Sequence, residues 1–244
     1  MLELTRAGLP APASGWFSTR TGGGSEPPYD SANLGTHVGD DADRVAGNRR
    51  RLAESAGLPP GALAFMQQVH GAQVAVVDGP ATAGVPGVDG LVTAAPGLGL
   101  VVLAADCLPV LLADPAAGVV AVAHAGREGL AAGVLQATLG AMAGLGAELA
   151  RTTAVLGPAA CGRCYEVPQE MADAVERAAP GSRTTTGRGT PSVDLTAGAL
   201  GLLRAAGLTR VSAVGGCTLE QPSRWFSYRR SGTTGRHAGL VRLA

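Results

Sequence analysis

Four histidines and four cysteines are the only imidazoles and thiols in this 244-residue chain, and their placement limits the chemistry it can perform. His70 and His124 fall at the ends of apolar stretches that read as buried strands. Cys107 follows another such stretch, in Ala104-Ala105-Asp106-Cys107-Leu108-Pro109. The runs 110–113 and 119–123 flank the turn Asp114-Pro115-Ala116-Ala117-Gly118 and predict a hairpin. If Ala113 faces Val119, Cys107 comes within one residue of the position opposite His124. Opposed residues in a ladder lie about 5 Å apart, so a thiolate and an imidazole there can share one metal ion. His70 would complete a His₂Cys set, which zinc accepts while keeping a fourth position open for water or substrate. Cys107 would bind as the thiolate, made accessible at neutral pH by the nearby cation. Spacing alone does not tie His70 to the pair, because the separations match no local zinc signature. A single buried Cys or His is ordinarily a core residue.

These residues must be positioned by an apolar framework. Segments 100–105, 110–113 and 119–123 predict short buried strands. A strand ending near His70 and another over 73–77 are separated by Gly71. Asp41 can cap a helix over 42–56 that Gly57 stops. A Gly/Ala-rich helix is expected over 128–145, a strand over 153–156, a helix from Pro168 to Pro180, a helix over 194–206 and a strand over 211–214. Residues 16–39 read as loop-rich. Strands and helices mix without strict alternation, which predicts an α+β layered fold with mixed sheets rather than a TIM barrel or a doubly wound sheet. No internal repeat or linker is visible, so residues 1–244 read as a single domain.

Nearly half the residues are apolar but aromatics are only 3%, so the core must rest on Val, Leu and Ala. Formal net charge is zero, which removes any global attraction for nucleic acid or an anionic membrane. The run Arg49-Arg50-Arg51 reads as a solvated helix face. Residues 1–16 lack the basic start and apolar stretch of a secretory signal. No apolar segment reaches the ~18 residues of a membrane span. Four cysteines in a chain this long do not make a disulfide framework, so the expected setting is a reducing cytoplasm. No obligate protein partner is expected.

The segments carrying the metal candidates resemble the laccase-domain, or polyphenol oxidase, family, whose members are now largely regarded as purine nucleoside phosphorylases. The family also includes peptidoglycan editing factors. The matching stretches are Ser18-Thr19-Arg20-Thr21-Gly22-Gly23, Asn33 to Asp40, Gln68-Val69-His70-Gly71, Ala105 to Val110 and His124-Ala125-Gly126. Further on come Gly157-Pro158, Cys164-Tyr165-Glu166-Val167, Cys217-Thr218, Phe226 to Arg230 and Thr234-Gly235-Arg236. The resemblance implies that His70, Cys107 and His124 are metal ligands and that the fold is a layered α/β/β/α sandwich. It also implies phosphorolysis of adenosine, inosine and methylthioadenosine, with adenosine deamination alongside. One departure stands out. Where the family usually has His-Ala-Gly-Trp-Arg-Gly, this chain has His124-Ala125-Gly126-Arg127-Glu128-Gly129.

Phosphorolysis needs phosphate held beside the ribose C1′ by donors and positive charge. Arg20, beside a glycine loop, is the first candidate, and Arg229 or Arg230 the second. Asn33 and His37 lie in a polar loop where they could reach the nucleoside, although Asn33 could equally make an Asx turn. Deamination would use a metal-activated water and a carboxylate to move the proton, for which Asp106 and Glu166 are candidates. His237 reads as structural. Cys161 and Cys164 form a Cys-x-x-Cys, but a structural zinc would need a second pair, so they read as structural or incidental. Two other functions use the same centre. A copper polyphenol oxidase would add Met66 as a weak ligand, yet four histidines cannot also build a trinuclear copper centre. A Cys107–His124 nucleophile pair would instead suit an amidase acting on a peptidoglycan precursor.

Overall fold

A computed structural model describes all residues 1–244. The chain opens with strands β1 (Leu4–Arg6) and β2 (Ala13–Ser18), then helix α1 (Ala42–Ser55). Strands β3 (Leu63–Gln67), β4 (Val74–Val76), β5 (Ala81–Pro86), β6 (Gly90–Thr93), β7 (Gly99–Ala104), β8 (Leu108–Asp114) and β9 (Val119–Ala125) follow. The second half holds α2 (Arg127–Ala132), α3 (Val134–Gly144), β10 (Thr153–Leu156), α4 (Gln169–Ala178), β11 (Arg183–Thr185) and β12 (Pro191–Val193). It closes with α5 (Leu195–Ala205), β13 (Arg210–Ala213), α6 (Tyr228–Ser231) and β14 (His237–Leu243).

Two mixed six-stranded sheets stack face to face, in the orders β1-β2-β14-β7-β3-β5 and β13-β10-β8-β9-β6-β4, and β11-β12 form a separate ribbon. The central strands are buried on both faces, which is why they read as unbroken apolar runs. Side-chain alternation nevertheless sorts them. Leu100 and Val102 of β7 point between the sheets with Phe17, Leu111, Val120, Val122 and Val241, whereas Val101 and Leu103 turn outward onto Leu52, Ala53 and Phe65 beneath α1. Val110, Leu112, Ala121 and Ala123 face the other way, against Leu130, Leu135, Leu139, Val175 and Leu203 of the helical layer. Burying each such Leu or Val contributes roughly 1.5–3 kcal/mol relative to leaving it in water. The result is the α/β/β/α sandwich.

Most predicted elements form near their predicted bounds. Asp41 caps α1 by accepting from the Arg44 N–H (2.9 Å), Asp194 likewise caps α5, and Gly57 takes a left-handed φ of 68°. Several expectations need correction. The helix expected over 128–145 is two helices, because Gly133 at φ 90° breaks the path between α2 and α3. The residues on either side of His70 enter different sheets: β3 belongs to the first and β4 to the second. The C-terminal residues, for which no element is expected from the sequence, form β14, paired between β2 and β7. His237, at its start, is fully buried against Trp225 (ring centroids 5.5 Å apart). Burial drives its pKa down to about 3, keeping it neutral. No helix is long and apolar enough to cross a membrane.

Asp114 anchors the β8–β9 turn and is fully buried. It accepts from the backbone N–H groups of Ala116 (3.1 Å), Ala117 (3.3 Å) and Glu148 (2.8 Å), and pairs with Arg151 at 3.0 Å. Burial pushes its carboxyl up, but the Glu148 amide, Arg151 and the Ala117 amide together hold it below the usual carboxylate range. A depressed folded pKa contributes stability above the unfolded value, lost as pH falls through the folded one. Asp114→Ala should therefore cost about 3 kcal/mol at neutral pH, since three amides and a guanidinium lose their acceptor. Denaturant unfolding at pH 7 checks this, and the gap between variant and wild type should narrow below about pH 4.

Candidate metal centre

His70, Cys107 and His124 converge, their donor atoms all lying within 4.8 Å of one another. The His70 and His124 rings meet edge to face with centroids 4.8 Å apart. Donors around a tetrahedral zinc at about 2.0–2.3 Å stand roughly 3.5 Å apart, so the set needs only a small inward turn to close on the ion. The donor chemistry, two imidazoles and one thiol, fits zinc with a position left open.

Three segments deliver these side chains. His124 comes from the end of β9, where its side chain is 3% exposed. The hairpin register is one residue off the expected one: Asp114 pairs with Val119, and Pro109 faces His124. Cys107 sits two residues before Pro109, so this register, unlike the expected one, places it on the diagonal of the same face as His124. Continuing that register puts Gly126 opposite Cys107. A Cβ on Gly126 would stand 3.0 Å from Cys107 Sγ and 3.1 Å from His70 Cδ2, so hydrogen at this position leaves the room that the donors occupy. Gly126 has φ −69° and ψ 170°, accessible to alanine, so the constraint is space rather than backbone. Gly126→Ala should fold normally yet hold zinc about tenfold more weakly in a chelator competition. Unchanged affinity would mean that the donors do not close there.

Both loops that carry donors from outside β9 are held by side chains. Gln68 replaces a strand partner at the end of β7, donating to Leu103 O and accepting from the Leu103 N–H (both 2.9 Å). His70 itself has φ 61°, an uncommon conformation for a non-glycine residue. It is fixed by Asp89, whose Oδ2 accepts from the Val69 (3.1 Å) and Gly71 (2.7 Å) N–H groups. Asp89 Oδ1 accepts from the His70 N–H (3.0 Å) and lies 2.8 Å from His124 Nδ1. One fully buried carboxylate thus sets the His70 loop and the His124 ring together. On the other side, Asp106 at φ 91° accepts from Thr218 Oγ1 (2.5 Å) and the Arg229 N–H (2.6 Å), holding the turn that presents Cys107.

The electrostatics follow from this packing. Burial pushes the Cys107 thiol up, but the charge and hydrogen bonds of His124, then of His70, outweigh it and bring the pKa to about 6. Burial pushes His124 down, while Cys107 and Asp89 lift it to about 9. Burial also raises Asp89, yet the His124 and Gly71 hydrogen bonds leave it below the ordinary carboxylate range. Cys107 and Asp89 are therefore both anionic at neutral pH, which suits a cation between the donors.

The centre opens into a cavity of about 1100 Å³. Of the residues expected to touch substrate or phosphate, His37 and Arg229 line it. His37 is held neutral by burial and by the charges of Arg236 and Arg49. Arg20, Asn33 and Arg230 are not brought there. Arg20 is committed to Asp30 (3.0 Å), Pro222 O and the Phe226 ring. Asn33 is fully buried and makes an Asx-type turn with Gly35, also accepting from the Arg236 N–H. Arg230 donates to Thr218 O and Trp225 O. Asp106 has both oxygens occupied, as above, and Glu166 faces Arg188 at 2.9 Å, so neither is poised as a proton carrier.

The cavity also contains residues that the sequence reading did not assign. Arg49, expected on a solvated face, instead turns inward over the Phe65 ring at 3.8 Å. Arg236 lines the same wall. Neither these two nor Arg229 has a carboxylate within ion-pair distance, whereas Arg127 is neutralised by Glu128 at 2.6 Å. Phe65, Tyr165 and Tyr228 add aromatic surface. Asp89 carried a legible signal, since a lone carboxylate inside Val88-Asp89-Gly90-Leu91-Val92 must find partners when buried.

A two-sheet sandwich that presents a His₂Cys donor set at the floor of a cationic cavity defines a protein with a candidate catalytic metal centre. The model of the multi-copper polyphenol oxidoreductase laccase family matches residues 14–244, and the chain belongs to that family. A Streptomyces griseus protein named purine nucleoside phosphorylase is 56% identical, with 93% of each chain covered. A Mycobacterium tuberculosis protein of the same name is 52% identical, covering 92% of this chain and 89% of its own. Among solved structures, YlmD from Geobacillus stearothermophilus superposes with a TM-score of 0.90 at 32% identity, covering 98% and 96% of the two chains. A Neisseria meningitidis protein gives 0.87 at 38% identity, with 98% of both covered.

Proposed function

We propose that this chain is a zinc-dependent purine nucleoside phosphorylase acting on adenosine, inosine and methylthioadenosine, with adenosine deamination as a secondary activity. The observation that carries the reading is the pairing of an open His₂Cys set with three arginines that lack carboxylate partners. A centre built for phenol oxidation has no use for such charge, whereas phosphate does. The names of the relatives point the same way. His70, Cys107 and His124 would hold the zinc, which supplies Lewis acidity when bound.

The protein's own groups account for the rest. Arg49, Arg229 and Arg236 hold phosphate, Tyr165, Tyr228 and Phe65 offer faces for the purine, and neutral His37 offers a ring nitrogen to the sugar. Phosphate oxygen then bonds to C1′ as the bond from C1′ to the purine nitrogen breaks. The purine departs with that electron pair and takes up the proton that the attacking hydrogen phosphate gives up. Arg236→Met, which keeps the stem and removes the charge, should raise the phosphate KM about 10–100-fold with a smaller change in nucleoside KM. Chromatographic product analysis tests the whole reading. Adenine and ribose 1-phosphate formed only when phosphate is present support it. Phenol oxidation by an intensely blue protein would point to copper, and amide hydrolysis by metal-free protein to a Cys107–His124 nucleophile; either overturns it.

A further inference from the structure

The Cys-x-x-Cys pair does find a second pair, but one disguised by a carboxylate. Cys161, Cys164, Cys217 and Glu220 bring a donor atom each to within 4.8 Å of the others, remote from the first centre in sequence and lining a separate cavity with Cys161, Cys217 and Glu220 in its wall. Cys161-Gly162-Arg163-Cys164 is one turn, closed by Cys164 and Tyr165 N–H groups on Cys161 O (both 2.9 Å). Cys217-Thr218-Leu219-Glu220 is a second turn with the same spacing, closed by the Gln221 N–H on Cys217 O (3.2 Å). A parallel bridge between Ala159 and Cys217 sets the turns side by side.

We propose that these four residues form a second, structural zinc site, with three thiolates and one carboxylate around the ion. Zinc takes closed tetrahedral sets of this kind in structural sites, and carboxylate oxygen is among its ligands. The surroundings fit thiolate ligation. The Cys161 N–H points to Cys217 Sγ at 3.5 Å, an amide-to-sulfur contact of the sort that orients a metal thiolate. All three thiols are free. Glu220 accepts from Cys164 Sγ at 3.7 Å and makes its one ion pair with the exposed Arg163, at 3.0 Å, a surface pair weak enough to yield to a metal. Gly162 is pinned where a Cβ would meet Thr184 at 2.5 Å and Asp194 at 3.0 Å, so the first turn is seated firmly on the strand and helix behind it.

The site would serve the first centre as a staple. Both turns continue into groups that hold Asp106: the Ala160 N–H donates to Asp106 O (3.0 Å), and Thr218 donates to its carboxylate. Zinc here locks the two loops that fix the turn before Cys107, and no substrate needs to reach it.

The test counts metal. Protein expressed with zinc and purified without chelator should carry about two zinc ions per chain by elemental analysis, and Cys107→Ala should keep about one. Cys161→Ser/Cys164→Ser should also keep about one, and its melting temperature should fall. Cobalt substituted into Cys107→Ala should retain an intense thiolate-to-cobalt absorption, a readout independent of catalysis and of whether the double variant folds. One zinc in the wild type and none in Cys107→Ala would overturn the site. So would a disulfide among Cys161, Cys164 and Cys217 in freshly purified protein. Either result leaves the phosphorolysis reading untouched.

Discussion

Cys107→Ala should abolish metal binding at the first centre and lower phosphorolysis by at least about 10³-fold. Two imidazoles remain, but zinc held by two side chains loses a charged ligand and most of its affinity. The fold should survive, because Cys107 lies in a turn whose geometry is set by Asp106, Thr218 and the Arg229 amide rather than by its own side chain. A conventional core cysteine would behave differently: its loss would cost stability and leave activity largely intact. Elemental analysis, circular dichroism and a phosphate-dependent assay on one preparation separate the two cases. Full activity in this variant would remove Cys107 from the centre.

Asp89→Asn should be the most damaging isosteric change. Each of the two carboxylate oxygens accepts twice, from His124 and the His70 amide on one and from the Val69 and Gly71 amides on the other. An asparagine must turn its NH₂ toward one of these donor pairs, so two donors lose their acceptor whichever way it flips. We expect a loss of about 3–5 kcal/mol in stability and roughly 10–100-fold in zinc affinity. Denaturant unfolding and chelator competition measure the two effects separately. An Asp89→Asn protein with wild-type zinc affinity would show that the carboxylate supports the fold without orienting the ligands.

Much of this site was legible in the residues. Continuous apolar runs located the central strands, and counting across the Asp114 turn brought Cys107 near His124 despite a one-residue slip in register. The slip matters for the face: the expected register sets Cys107 opposite Ala125, on the other face from His124, whereas the observed one sets it opposite Gly126, two residues from His124 and on the same face. His70 was different: nothing local predicts that β3 and β4 enter different sheets with His70 between them, so the resemblance alone tied it to the pair. The layered fold came from the mixed order of elements, but β14 was invisible. A strand at the end of the chain, after a glycine-containing loop, becomes central only through its partners β2 and β7.

The substrate side was read less well for a physical reason. Arginine position in sequence says little about where a long flexible side chain ends. Arg20, Arg230 and Arg49 all give donors to backbone carbonyls, but only Arg49, within an apparent surface run, does so at the cavity wall, lying over Phe65. Asn33 shapes the loop from beneath. The second cysteine cluster escaped because one of its four donors is a glutamate and the two turns are more than fifty residues apart.

Metal removal and restoration test the central proposal most directly. Wild-type protein stripped by a chelator is supplied with adenosine and phosphate, and ribose 1-phosphate is followed as zinc is returned. Phosphate-dependent product should vanish with the metal and reappear with zinc in the wild type but not in Cys107→Ala. Undiminished phosphorolysis by the stripped protein, or recovery only of phenol oxidation and only with copper, would contradict it.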